Sequence, residues 1–187
     1  MNWIVFGLVI VWLGIISWFD IRKNEIPHSA WVIIPLLGAG VYRVWQGDWQ
    51  LVLLAGLVAA VSEREKISQI IGWKEIVRMN TWFPVLFLGA VLSIQVSPIT
   101  ALSIFGFWAA WELKWWGGAD AVAAITLILI YPEITFILTF LIVHVIATIG
   151  LTIRSKVKEN TVCLHKIPGL PLILFTVIPF QIIHFLA

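Results

Sequence analysis

Residues 3–23 read WIVFGLVIVWLGIISWFDIRK, an uncharged apolar run over 3–19 that ends abruptly on Asp20, Arg22 and Lys23. Wound as a helix, the run rises about 26 Å, close to the roughly 30 Å hydrocarbon thickness of a bilayer. It has the length of a secretory signal but neither its basic start nor a small-x-small cleavage site, so it reads as a retained membrane helix. Outward from it, apolar runs recur at about 30–45, 51–61, 81–96, 99–111, 121–131, 134–153 and 167–186. The expected fold is therefore all-α. It is a polytopic transmembrane bundle of about eight membrane helices (six to eight), forming a single domain over residues 1–187. The third and sixth runs are short, and only helical extension into flanking polar residues would complete them. Hydrophobic residues make up 61% of the chain and charged residues 12%. That charged share is about half that of a soluble domain, whose core could not hide so much apolar surface.

Charge is distributed asymmetrically. If odd-numbered runs point inward, the inner connections carry Arg22, Lys23, Arg64, Lys66, Lys74, Arg78, Lys114, Arg154, Lys156, Lys158 and Lys166. Only Arg43 lies toward the outside, so the basic loops mark the cytoplasmic side. Both termini then face outward, and the outer links near Gly47-Asp48, Ser97-Pro98 and Tyr131-Pro132 are short. Trp3, Trp18, Trp31, Trp45, Trp49, Trp82, Trp111, Trp115 and Trp116 fall near segment ends, where indoles anchor at headgroup level. The chain is expected to cross its membrane several times, with the polar chemistry facing the cytoplasm. The net charge of +2 gives no footprint for nucleic acid, and the single cysteine, Cys163, excludes an internal disulfide or a Cys-rich zinc module.

Asp20 and Asp120 are the candidate catalytic residues. Asp20 ends the first run at the inner membrane edge; Asp120 closes Trp115-Trp116-Gly117-Gly118-Ala119-Asp120 and opens the sixth run on the same side. Two nearby carboxyls can share a proton, because both cannot ionise cheaply at short range. One can then activate a water while the other protonates the carbonyl oxygen or leaving amine. A plainer reading makes Asp120 an N-cap and Asp20 a marker of a helix end.

The surrounding residues carry a resemblance. Asp20-Ile21-Arg22-Lys23-Asn24-Glu25-Ile26-Pro27-His28 resembles the Asp-x-x-x-x-x-(Ile/Leu)-Pro-Asn signature of type IV prepilin peptidases. Gly117-Gly118-Ala119-Asp120 resembles their Gly-x-Gly-Asp element, in the form associated with archaeal preflagellin peptidases. Lys166-Ile167-Pro168-Gly169-Leu170-Pro171 is similar to the family's late Pro-x-x-Pro stretch. Order and cytoplasmic placement match for all three. The resemblance implies an aspartyl endopeptidase that cuts the basic leader from a membrane-anchored prepilin-like or preflagellin protein, with no metal and no cofactor. It makes Asp20 and Asp120 catalytic, and Ile26, Pro27, His28, Gly117, Gly118 and Ala119 positioning residues.

The sequence also departs from the family pattern. His28 stands where the family has Asn, and Ala121-Val122 replaces a common Val/Phe-Lys. About 62–98 reads as an inserted helical segment, and within it residues 62–80 suit an interfacial helix or a loop. The chain opens on a membrane helix without the Cys-rich module of many bacterial relatives, so the expectation is proteolysis without N-methylation.

Candidate substrate contacts are Arg22, Lys23, Glu112, Lys114, Pro168 and Pro171, although the basic residues also serve as topology markers and Glu112 as an interfacial acid. Pro168 and Pro171 suit the first turn of a helix, where a missing N–H costs little. Gly117 and Gly118 suit a tight backbone turn or close approach to substrate, or equally a flexible loop. His144, deep in its run, suits a helix-to-helix hydrogen bond. There is no His-Glu-x-x-His, no Gly-x-Ser-x-Gly and no glycine-rich phosphate loop. The rival class is a non-enzymatic membrane transporter or assembly factor using the two acids for protons or cations, although such sites favour the bilayer midplane.

Overall fold

A computed structural model describes residues 3–23, 29–62, 82–113, 116–159 and 169–186. Every regular element among the described residues is helical: α1 (Trp3–Lys23), α2 (Ile34–Trp45), α3 (Trp49–Ser62), α4 (Trp82–Gln95), α5 (Pro98–Glu112), α6 (Gly118–Ile130), α7 (Ile134–Glu159) and α8 (Gly169–Leu186). A π-helical turn, Ser29–Ile33, leads into α2. The two short apolar runs do extend, α3 starting at Trp49 and α6 at Gly118. One helix among the described residues, over Trp3–Arg22, is long and apolar enough to cross a membrane; the apolar stretches of the others, such as Ile134–Ala147 and Gly169–Phe185, are shorter.

The chain divides into two compact units, Met1–Ile33 with Glu133–Ala187, and Ile34–Pro132. In the first unit α8 packs against both α1 and α7. Val9, Leu13 and Ile16 recur at helical spacing on α1, and Leu170, Ile173, Val177 and Phe180 do so on α8; all are buried. Phe180 meets Phe136 of α7 edge to face, with centroids 5.1 Å apart. The start of α1 and the end of α8 lie together, Trp3 touching Phe185 at 6.2 Å between centroids. The start of α7 joins them through Glu133, 3.7 Å from His184. The two ends of α1 are therefore distinct, and Asp20 occupies the one away from Glu133. Midway along α1, the Trp12 indole donates to the Trp31 carbonyl at 2.8 Å, tying the π-helical turn to α1.

The second unit is organised around α6, whose residues from Ala121 to Leu129 are all buried. A helix apolar on every side is stable only when surrounded, and α2, α3 and α5 surround it. Its far end meets a buried cation. Arg43, near the end of α2, donates from Nε to the Leu129 carbonyl and from Nη2 to the Ile130 carbonyl at 2.8 Å. From Nη1 it reaches Gln46 at 2.6 Å and Asp48 at 3.0 Å. Gly47, at φ 91°, lets the chain double back between Gln46 and Asp48 so that both can face Arg43. Beside this cluster the Thr100 hydroxyl donates to the Pro132 carbonyl at 3.4 Å. Burial, with Tyr42 adjacent, pushes the Tyr131 phenol above the usual tyrosine range. The links near Gly47-Asp48, Ser97-Pro98 and Tyr131-Pro132 thus gather at one end of this unit, and Asp120 stands at the other.

Three buried threonines bond within their own helices. Thr126, Thr139 and Thr176 each donate to the carbonyl four residues back, at 2.8–2.9 Å.

Candidate active site

Asp20 is not the terminus of its helix. α1 continues to Lys23, so Asp20 sits in the last turn with Oδ2 shielded from solvent. Arg22, one position past Ile21, is exposed and lies over the Trp18 indole, 4.3 Å from the ring centre. That contact fits an interfacial anchor and holds the guanidinium along its own helix.

Asp120 is not the N-cap. Gly117 is, in extended backbone at φ −69°, ψ 148° and with no side-chain cap, which puts Asp120 at the third helical position. Backbone conformation therefore does not require glycine at 117; any residue adopts those angles. Space does. A Cβ on Gly117 would lie 3.0 Å from Asp120 Oδ2, because the carboxyl folds back over the helix start. A Cβ on Gly118 would lie 3.1 Å from Trp111 Nε1. The glycine pair thus accommodates two neighbours, the acid itself and an indole from α5. A steric reading of the pair thus stands beside the tight turn, the close approach to substrate and the flexible loop.

The corner between α5 and α6 is itself braced. The Leu113 N–H donates to the Ala109 carbonyl at 2.9 Å and the Trp116 N–H to the Ala110 carbonyl at 3.1 Å. Trp116 stacks on Phe107, centroids 5.3 Å apart and planes at 10°. Glu112 ends α5 at this corner, and Ala119 lies between Gly118 and Asp120 in the first turn of α6. Trp111 was legible only as a segment-end anchor; nothing in its spacing signals contact with Gly118.

A steric role makes a measurable claim. Gly118→Ala forces the rigid indole or the helix start to move by tenths of an ångström; on the peptidase reading of Asp120, such a displacement should cost about tenfold in cleavage rate. Trp111→Phe in the same chain should restore most of that loss. Full activity in Gly118→Ala alone would show that the indole yields freely.

Pro171 lies in the first turn of α8, where its missing N–H leaves no bond unmade. His144 hydrogen bonds through Nδ1 to the Phe140 carbonyl at 2.9 Å and stacks on the Phe140 ring at 4.0 Å. That bond lies within α7, not between helices. Ile26, Pro27, His28, Lys114 and Pro168 lie outside the described residues, as does most of 62–80. Lys23 closes α1. Asp20 belongs to the first unit and Asp120 to the second.

No model of a known protein family matches the chain, and no curated protein or solved structure is detectably similar to it.

Proposed function

We propose that this chain is a multi-pass membrane aspartyl endopeptidase of the prepilin or preflagellin peptidase kind, with Asp20 and Asp120 as its acid–base pair. The observation that carries the reading is the placement of the two acids. Each occupies a terminal helical turn, Asp20 the last turn of α1 and Asp120 the first turn of α6. The three motif elements and the inward bias of basic residues supply the rest.

The membrane reading gains support from the surface. Ile4, Leu8, Val11 and Trp18 on α1, Ile34, Leu37 and Val41 on α2, and Leu138, Ile142, Val145 and Ile149 on α7 are all exposed. Each set recurs at helical spacing, forming apolar faces that water would disfavour and lipid would cover.

The division of labour proposed for the two acids makes Asp120 the general base and Asp20 the general acid. Asp120 then takes a proton from a water, whose oxygen attacks the scissile carbonyl carbon. Asp20 protonates the carbonyl oxygen. Collapse of the resulting gem-diol breaks the C–N bond; the departing amine takes the proton held by Asp120, and one diol hydroxyl returns its proton to Asp20 as the new carboxyl group forms. Acting through one water requires each carboxyl within about 3 Å of it at the moment of reaction.

The substrate on this reading is a membrane-anchored protein with a short basic leader before a hydrophobic helix, cut on the cytoplasmic side. Incubation of the purified protein with prepilin-like and preflagellin-like substrates, with cut sites mapped by mass spectrometry, tests it directly. Topology is tested separately. Single cysteines placed in 62–80 and 154–166 should react with an impermeant thiol reagent only from the cytoplasmic side, and one beside Asp48 only from outside. Opposite accessibility of the two basic segments would remove the shared cytoplasmic face on which the pairing depends.

A further inference from the structure

Ser17 is 5% exposed, and its Oγ is buried with no hydrogen-bond partner among the described residues. The buried threonine hydroxyls differ. Thr126, Thr139 and Thr176 bond the carbonyl one turn back, and Thr100 bonds Pro132. Ser17 has the same choice in the Leu13 carbonyl and does not take it. Leaving a buried hydroxyl unmatched is destabilising, so the group calls for a physical explanation.

Its position supplies one. Ser17 precedes Asp20 by three residues on α1. Side chains at that spacing share a face, with Cβ atoms about 5–6 Å apart. Helical side chains lean toward the N-terminus, which tilts Asp20 over Ser17. Asp20 Oδ2 is itself shielded from solvent. Both side chains have alternative staggered wells open to them.

We propose that Ser17 is a positioning residue for Asp20, its Oγ–H donating to one carboxyl oxygen so that the acidic proton on the other points at the substrate carbonyl. This rests on the peptidase reading above. It adds a residue that none of the three motif elements contains, and it predicts an unusual pairing of effects. Removing the hydroxyl harms function without harming the fold.

The test compares the full chain in detergent as wild type, Ser17→Ala and Ser17→Thr. Ser17→Ala should lower kcat about tenfold with KM unchanged, since a misdirected acid costs rate rather than binding. Its melting temperature should equal or exceed that of wild type. Ser17→Thr keeps the hydroxyl and should keep kcat. Wild-type kcat in Ser17→Ala overturns the proposal, as does a loss of kcat that merely follows a lowered melting temperature. A second measurement is independent of cleavage: the rate at which dicyclohexylcarbodiimide labels Asp20, followed by mass spectrometry. Loss of the Ser17 donor should change that rate about threefold. If wild type cleaves no prepilin-like substrate, the peptidase reading fails, yet a changed labelling rate still supports the Ser17–Asp20 contact. Equal labelling rates overturn that contact whatever the cleavage result.

Discussion

Asp20→Asn and Asp120→Asn are each expected to abolish cleavage of a prepilin-like substrate, by about a thousandfold or more, while the chain stays folded in detergent. Positioned general acids and bases contribute roughly 10²–10⁴-fold each, and an amide can neither take a proton from water nor deliver one to a carbonyl. The swap preserves shape. At Asp120 the asparagine amide still fits over Gly117, where the carboxyl now lies. At Asp20 the replacement sits in the last turn of a helix that runs on to Lys23. Loss of activity with unchanged melting behaviour therefore reports chemistry rather than collapse. Substantial turnover in either variant would remove that residue from the pair. Preincubation with EDTA should leave wild-type activity unchanged, since the proposed steps move protons between carboxyls, water and substrate alone. Activity lost to EDTA and restored by added metal would replace the mechanism.

The largest effect on stability is expected at Arg43. Arg43→Leu should lower the unfolding free energy of the detergent-solubilised protein by about 3 kcal/mol, the scale for breaking a buried, charge-assisted network. The cause lies mainly in the helix end rather than in the ion pair. Without the guanidinium, the Leu129 and Ile130 carbonyls at the end of α6 lose their donor within the protein. Arg43 is 10% exposed at its side chain but Asp48 is 52% exposed, so Asp48 can rehydrate. Asp48→Asn should accordingly cost under about 1 kcal/mol. Arg43→Lys should recover little, because one ammonium cannot reproduce the fork that reaches α6 and the Gln46–Asp48 turn together. A near-neutral Arg43→Leu would mean that the end of α6 is held by packing alone. An Asp48→Asn loss as large as that of Arg43→Leu would return the weight to the ion pair.

Much of the helical layout was legible in one dimension. Apolar runs and the charges between them located each helix among the described residues to within a few residues at most ends, because hydropathy is a property of contiguous sequence. The exceptions share a cause. α1 and α7 run past their apolar stretches through Asp20 and toward Glu159, since a polar residue does not end a helix unless something competes for its backbone. The sequence alone also singled out Asp20 and Asp120, and marked Arg43 as the cation on the unexpected side. It could not say what Arg43 does there. Only the return of the chain at Gly47 and the arrival of α6 bring four acceptors around one guanidinium.

The glycines at 117 and 118 make the same point at the candidate site. Their spacing from Asp120 was readable, but their reason was not. A glycine can serve for its backbone freedom or for its missing side chain, and the string of letters is identical in both cases. The φ and ψ of Gly117 remove the first reason there, and the approach of Asp120 Oδ2 and Trp111 Nε1 supplies the second. Ser17 looked like any small residue in an apolar run until its burial and its unmatched hydroxyl were known. Composition and periodicity determine which segments become helices, because those forces act along the chain. Tertiary structure decides how each helix is rotated and what its polar atoms meet, because those contacts join residues far apart in sequence.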